Sequence, residues 1–106
     1  MPNTKDSNII SPTREKQSLK QLPPPLYAVK FLNDDETTFD FVAWILVDVF
    51  QQDFVFADHF AQEVHQTGSA LIGAYTSDIA QTKVQRVHAQ AQLEGFPLQC
   101  EIEPLI

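Results

Sequence analysis

At 106 residues the chain has room for one hydrophobic core and not for two, because surface-to-volume scaling leaves little interior in anything much smaller. Its 43% apolar content supports such a core, yet no run reaches the roughly 18 apolar residues of a membrane span and the N-terminus has no signal-like apolar stretch, so a soluble, cytoplasmic protein is expected. Charge is uneven: residues 1–25 hold four cations against two carboxylates, a net of +2, while residues 26–106 hold three cations against twelve carboxylates, a net of −9, which disfavours a nucleic-acid phosphate backbone and favours cationic ligands.

Residues 1–25 mix polar and charged types with little apolar periodicity and end in Pro23-Pro24-Pro25. Such a segment buries too little surface to offset its ordering entropy, so a disordered N-terminal extension is expected, with the prolines as an extended spacer. The folded domain is expected over residues 26–106. Its first element is a strand, Tyr27-Ala28-Val29-Lys30-Phe31-Leu32, rich in β-branched and aromatic residues. Thr37 is placed to cap a first helix, in which Val42, Ile45, Leu46 and Val49 recur at helical spacing. Asp53 caps a second helix with Ala57, Phe60, Ala61 and Val64 on one face, stopped by Gly68.

Residues 70–75 read as a short strand. Thr76 then caps a third helix with a buried stripe of Ala80, Val84, Val87 and Ala91, ended by Gly95. The last segment alternates, with Leu98, Cys100 and Ile102 facing in and Gln99, Glu101 and Glu103 facing out. Cys100, the single cysteine, reads as a small core residue. The order β-α-α-β-α-β predicts an α+β fold with three helices packed on one face of a small three-stranded antiparallel sheet.

Leu32-Asn33-Asp34-Asp35-Glu36-Thr37 falls between a strand and a helix, where rigid elements hold a loop that presents two adjacent carboxylates beside an amide. Taken alone it reads first as a solvated acidic turn followed by a helix cap. Val64-His65 ends the second helix, where a lone histidine is ordinarily a capping or dipole-compensating residue.

With Asp40-Phe41-Val42, Gly73-Ala74-Tyr75, Thr82-Lys83 and Gly95-Phe96-Pro97-Leu98-Gln99-Cys100, these motifs together resemble the ClpS family of Clp protease adaptors, in order and spacing, over about residues 26–103. The resemblance implies a non-enzymatic adaptor that binds proteins bearing a bulky N-terminal residue (Leu, Phe, Tyr or Trp) and delivers them to a Clp unfoldase. It assigns Asn33, Asp35 and His65 to the α-amino group of the incoming N-terminus, with Asp34 supporting the loop. Thr37, Phe39, Val42, Ala61, Val64 and Leu98 correspond to the side-chain pocket. Asp78 and Lys83 match positions that contact the N-terminal domain of the Clp ATPase, ClpA-like or ClpC-like. A monomer without cofactor or metal is implied.

The sequence departs from the family pattern at Thr38-Phe39, where Pro-Met is common, at Ala61, where a methionine is frequent, and at Trp44, where a polar or small residue is usual. Among rival readings, a hydrolase lacks a serine or cysteine nucleophile in any recognisable motif. His59 and Glu63 stand at i, i+4 but lack a third metal ligand, and the acidic loop lacks the alternating ligands and glycine of a calcium loop. A generic protein-interaction domain of the same topology, such as the C-terminal domain of a ribosomal stalk protein, would have no need of an ammonium site.

Overall fold

In a computed structural model, described here for residues 24–105, β1 spans Tyr27–Leu32 and is the middle strand of an antiparallel sheet ordered β2-β1-β3. The flanking strands are β2, Ser69–Tyr75, and β3, Gln99–Pro104. The register sets Phe31 opposite Ala70 and Cys100, and Val29 opposite Ile72 and Ile102, so these six form one face of the sheet. On the other face Lys30 lies between Leu71 and Glu101, and its ammonium stands 3.7 Å from Glu103. The period of two thus separates a buried face from a wet one.

Three helices cover the buried face: α1, Phe39–Asp48; α2, Phe54–Thr67; and α3, Ser77–Glu94. Helix α2 packs against α1 and β2, while α3 packs against β3 and β1. Their stripes meet the sheet in one cluster whose largest fully buried side chains include Phe31, Ile45, Leu46 and Ile72, each stabilising the fold by about 1.5–3 kcal/mol. Phe60, Val84 and Ile102, expected inside, are half-buried at its margin. Cys100 is buried, and loss of solvent around it, with Glu101 nearby, pushes its thiol up to about 12, as a core cysteine requires.

The helix ends show why the chain turns where it does. The Asp53 carboxylate accepts the Phe56 amide at 3.0 Å, as expected of an N-cap. At α1 the cap is Thr38 and not Thr37: the Thr38 hydroxyl accepts the Phe41 amide at 3.1 Å, because Thr37 is already engaged by Asp34. Thr76 holds the N-cap position of α3, but its hydroxyl donates to the Asp78 carboxylate at 2.7 Å instead of accepting from the helix. Gly68 ends α2 in the left-handed region, φ 96°, which L residues avoid. Gly73 is also left-handed, φ 75°, and a Cβ there would collide with the Tyr75 ring folded over it.

The expected extension over residues 1–25 lies, up to residue 23, outside the described residues. Pro24 and Pro25 are exposed and precede β1 without regular structure.

Candidate functional site

Three chain segments converge at one end of the sheet, and the strand register is what joins them. Leu32, the last residue of β1, pairs with Ser69 on one side and Gln99 on the other. The residue after Leu32 is Asn33, the residues before Ser69 end α2 with His65 in its last turn, and Leu98 precedes Gln99. The acidic loop, the histidine and the segment before β3 therefore meet although they are far apart in sequence.

Two sets of hydrogen bonds make this end rigid. The Asn33 amide donates to the Gly68 carbonyl at 2.9 Å, tying the loop to the end of α2. The Thr67 hydroxyl lies 2.8 Å from the Glu63 carbonyl and 2.9 Å from that of Ser69, holding the turn from α2 into β2. Within the loop, Asp34 accepts from the Glu36 amide at 2.8 Å, the Thr37 amide at 2.6 Å and the Thr37 hydroxyl at 2.7 Å. Partial burial alone would raise its carboxyl, but the bonds from Thr37 and Glu36 outweigh that and hold it below the ordinary 3.8. Asp34 is thus the residue around which the loop folds.

Asn33, Asp35 and His65 are left exposed, and among the described residues their side chains make no hydrogen bond or ion pair. An amide, a carboxylate and an imidazole are thereby free to accept hydrogen bonds at one end of the sheet. Among the described residues no three His, Cys, Asp or Glu side chains gather to hold a metal, and no helix is long and apolar enough to cross a membrane.

The six expected pocket residues divide. Val42, Ala61, Val64 and Leu98 come together in the core cluster, each no more than 6% exposed. Thr37 is half-buried beside Asp34, and Phe39, at the first turn of α1, is 37% exposed. Leu98 lines a cavity of about 380 Å³ with His88, Gln92 and Phe96, whereas Phe39 lines a separate groove of about 300 Å³ with Trp44, Val47 and Phe54.

The expected partner-binding pair divides too. Asp78 is exposed in the first turn of α3, accepting from the Thr76 hydroxyl and the Ile79 amide, which together hold its carboxyl below the ordinary value. Lys83, matched to a partner-contact position, turns its ammonium inward. Its ammonium donates to the Val49 carbonyl at 2.9 Å and stands 5.2 Å from the Tyr75 ring centre and 5.6 Å from that of Phe50. That carbonyl lies at the C-terminal end of α1, where a helix leaves acceptors without intrahelical donors. The groove between α1 and α2 was not legible from spacing; its one signal was Phe54-Val55-Phe56, three consecutive apolar residues that a helix cannot all turn inward.

Comparison with known proteins agrees with this architecture. The family described as ATP-dependent Clp protease adaptor protein ClpS matches residues 22–101. Two curated relatives named ATP-dependent Clp protease adapter protein ClpS, from Burkholderia mallei (strain SAVP1) and Burkholderia thailandensis, are 40% and 41% identical over 103 residues, covering 97% of this chain and 95% of each relative. A solved structure of Agrobacterium tumefaciens ClpS2 bound to L-phenylalaninamide superposes with a TM-score of 0.73 at 36% identity, covering 76% of this chain and 98% of that one.

Proposed function

The chain belongs to the ClpS family of ATP-dependent Clp protease adaptors, and from that premise we propose that it captures proteins by a bulky hydrophobic N-terminal residue and hands them to a Clp ATPase. The observation that supports this reading is the hydrogen bond from the Asn33 amide to the Gly68 carbonyl, which ties the loop bearing exposed Asn33 and Asp35 to the end of α2 that carries exposed His65 and buried Val64. Phenylalaninamide, the ligand of the Agrobacterium neighbour, combines a free α-amino group with an aromatic side chain.

An α-ammonium group has three donors and a reference pKa of about 7.7–8.0, so it is largely cationic at neutral pH. Asp35 supplies the counter-charge, the Asn33 carbonyl oxygen a second acceptor, and a neutral ring nitrogen of His65 a third. The ligand side chain enters between α1 and α2, against Val42, Ala61 and Val64, with Leu98 behind them. Since those four are already packed, entry requires a neighbour to yield, and exposed Phe39 is the pocket residue with most freedom to do so. Burying an aromatic side chain of roughly 150–200 Å² contributes about 4–5 kcal/mol before entropic losses. Charge-assisted hydrogen bonds add about 1.5–3 kcal/mol each, enough for micromolar binding after association costs.

Partner binding uses the exposed start of α3, with Asp78 reaching the N-terminal domain of the Clp ATPase and Lys83 acting through α3's position, its ammonium being spent on Val49. Residues 1–22 serve delivery and not capture. The test is fluorescence anisotropy with Phe-, Leu- and Val-initiated peptides and their N-acetylated forms. Phe and Leu peptides should bind, Val should not, and acetylation should abolish binding; equal affinity for free and acetylated peptides would overturn the reading.

A further inference from the structure

The groove between α1 and α2 is lined by Ala43, Trp44, Val47 and Phe54, with Phe39 also on it and two carboxylates, Asp40 and Asp58. Trp44 is 47% exposed and Phe54 72%, more apolar surface than a helix pair leaves in water without a use. Between residues 39 and 67 the chain carries five carboxylates, Asp40, Asp48, Asp53, Asp58 and Glu63, and no Lys or Arg. An occupant must therefore be both apolar and cationic.

The chain itself supplies such a segment. Residues 1–23 contain Ile9-Ile10, Leu19 and Leu22, with Lys5, Arg14, Lys16 and Lys20 against Asp6 and Glu15, a net of +2. Their point of attachment is favourable. The Phe50 ring, just past α1, lies 6.2 Å from that of Tyr75, and Tyr75 pairs with Tyr27 at the start of β1. The α1–α2 turn, where Val47 and Phe54 bound the groove, thus shares an end of the sheet with the point where residues 1–23 join. A chain of that length spans at most roughly 80 Å. The stretch of α1 from Phe39 to Val47 is only about 12 Å long at 1.5 Å per residue. Tethering also raises the local concentration of the segment to roughly the millimolar range, so modest contacts suffice.

We propose that this groove is the docking site of the chain's own residues 1–23, their apolar side chains against Trp44 and Phe54 and their Lys and Arg side chains against Asp40 and Asp58. The groove does not include the amino-group acceptors, although Phe39 belongs both to it and to the proposed side-chain pocket; docking is read without a peptide ligand and so stands or falls apart from that reading. A docked segment is withheld from other contacts until it is displaced.

The test uses the full chain with a nitroxide attached at Asn8→Cys, and in a second sample at Gln17→Cys; Cys100, buried, stays unlabelled. Amide signals of Ala43, Trp44, Val47 and Phe54 should lose most of their intensity in at least one sample, while those of Lys30 and Glu101, paired on the sheet face away from the helices, keep theirs. Asp40→Asn combined with Asp58→Asn should restore the groove signals. Unchanged groove signals, or broadening spread evenly over the molecule, would overturn the proposal. So would broadening in a mixture of isotope-labelled unmodified chains with unlabelled nitroxide chains, which would assign the groove to a second copy.

Discussion

The amide of Asn33 donates to the carbonyl of Gly68, so the acidic loop and the histidine-bearing end of α2 are positioned as one unit. The bond exists because Gly68 adopts φ 96° and thereby turns its carbonyl toward β1's end. Gly68→Ala should destabilise the fold by about 1–2 kcal/mol through left-handed strain alone, since a Cβ there meets nothing within 4 Å. Urea unfolding measures this. Peptide affinity should fall with it if Asn33 and His65 work together; unchanged affinity in a folded, destabilised variant would show that this tie does not position the acceptors.

Asp34 should impose an acid limit on the loop. Its carboxyl is held below its ordinary 3.8, so the stabilisation is present above that value and is lost as pH falls through the lower, folded one. Asp34→Asn keeps an acceptor oxygen but removes the charge, and should flatten the fall in stability as pH drops below Asp34's ordinary value of 3.8. Asp34→Ala should cost about 1 kcal/mol at neutral pH, because the Thr37 and Glu36 amides then lose their partner to water. A wild-type acid limb reproduced unchanged in Asp34→Asn would remove the carboxylate from this role.

Lys83 joins α3 to the end of α1, so its replacement should be felt in the isolated protein. Lys83→Met keeps the apolar stem yet leaves the Val49 carbonyl without its donor and removes the cation from the faces of Tyr75 and Phe50, costing about 1–2 kcal/mol. Thermal or urea unfolding without any partner present is the measurement. A variant as stable as the parent but defective with the Clp ATPase would make Lys83 a contact residue instead.

Ala61 is 2% exposed in the core where α2 faces α1. Ala61→Met should overpack that contact by about 1–3 kcal/mol, seen in unfolding, and weaken Phe, Trp and Leu peptides together. If the site opens more widely than its packing indicates, the added side chain penalises Trp chiefly and improves Leu. Unchanged affinity for all three would place Ala61 outside the pocket.

Local chemistry was enough to read most of the elements. The alternation from Leu98 to Ile102, the helical spacing of Ile45, Leu46 and Val49, and the signals at Asp53, Gly68 and Gly95 each act within a few residues, so the sequence states them directly. The acidic loop and Val64-His65 were legible for the same reason, and the motif set carried the family.

Tertiary structure decided what depends on residues meeting across the chain. Thr37 and Thr38 are equivalent as caps until Asp34 claims one of them, and only the folded loop settles which. Lys83 stands three residues after Ala80, at the edge of the buried stripe of α3, and only the fold shows which partner its ammonium takes, a carbonyl 34 residues away. Trp44 had no explanation until α2 brought Phe54 beside it and beside Val47, its neighbour one turn along α1, to form a groove. The order β2-β1-β3, which places Asn33 beside Gly68 and Leu32 beside Gln99, follows from pairing the most buried strand on both sides, a long-range choice that no local pattern encodes.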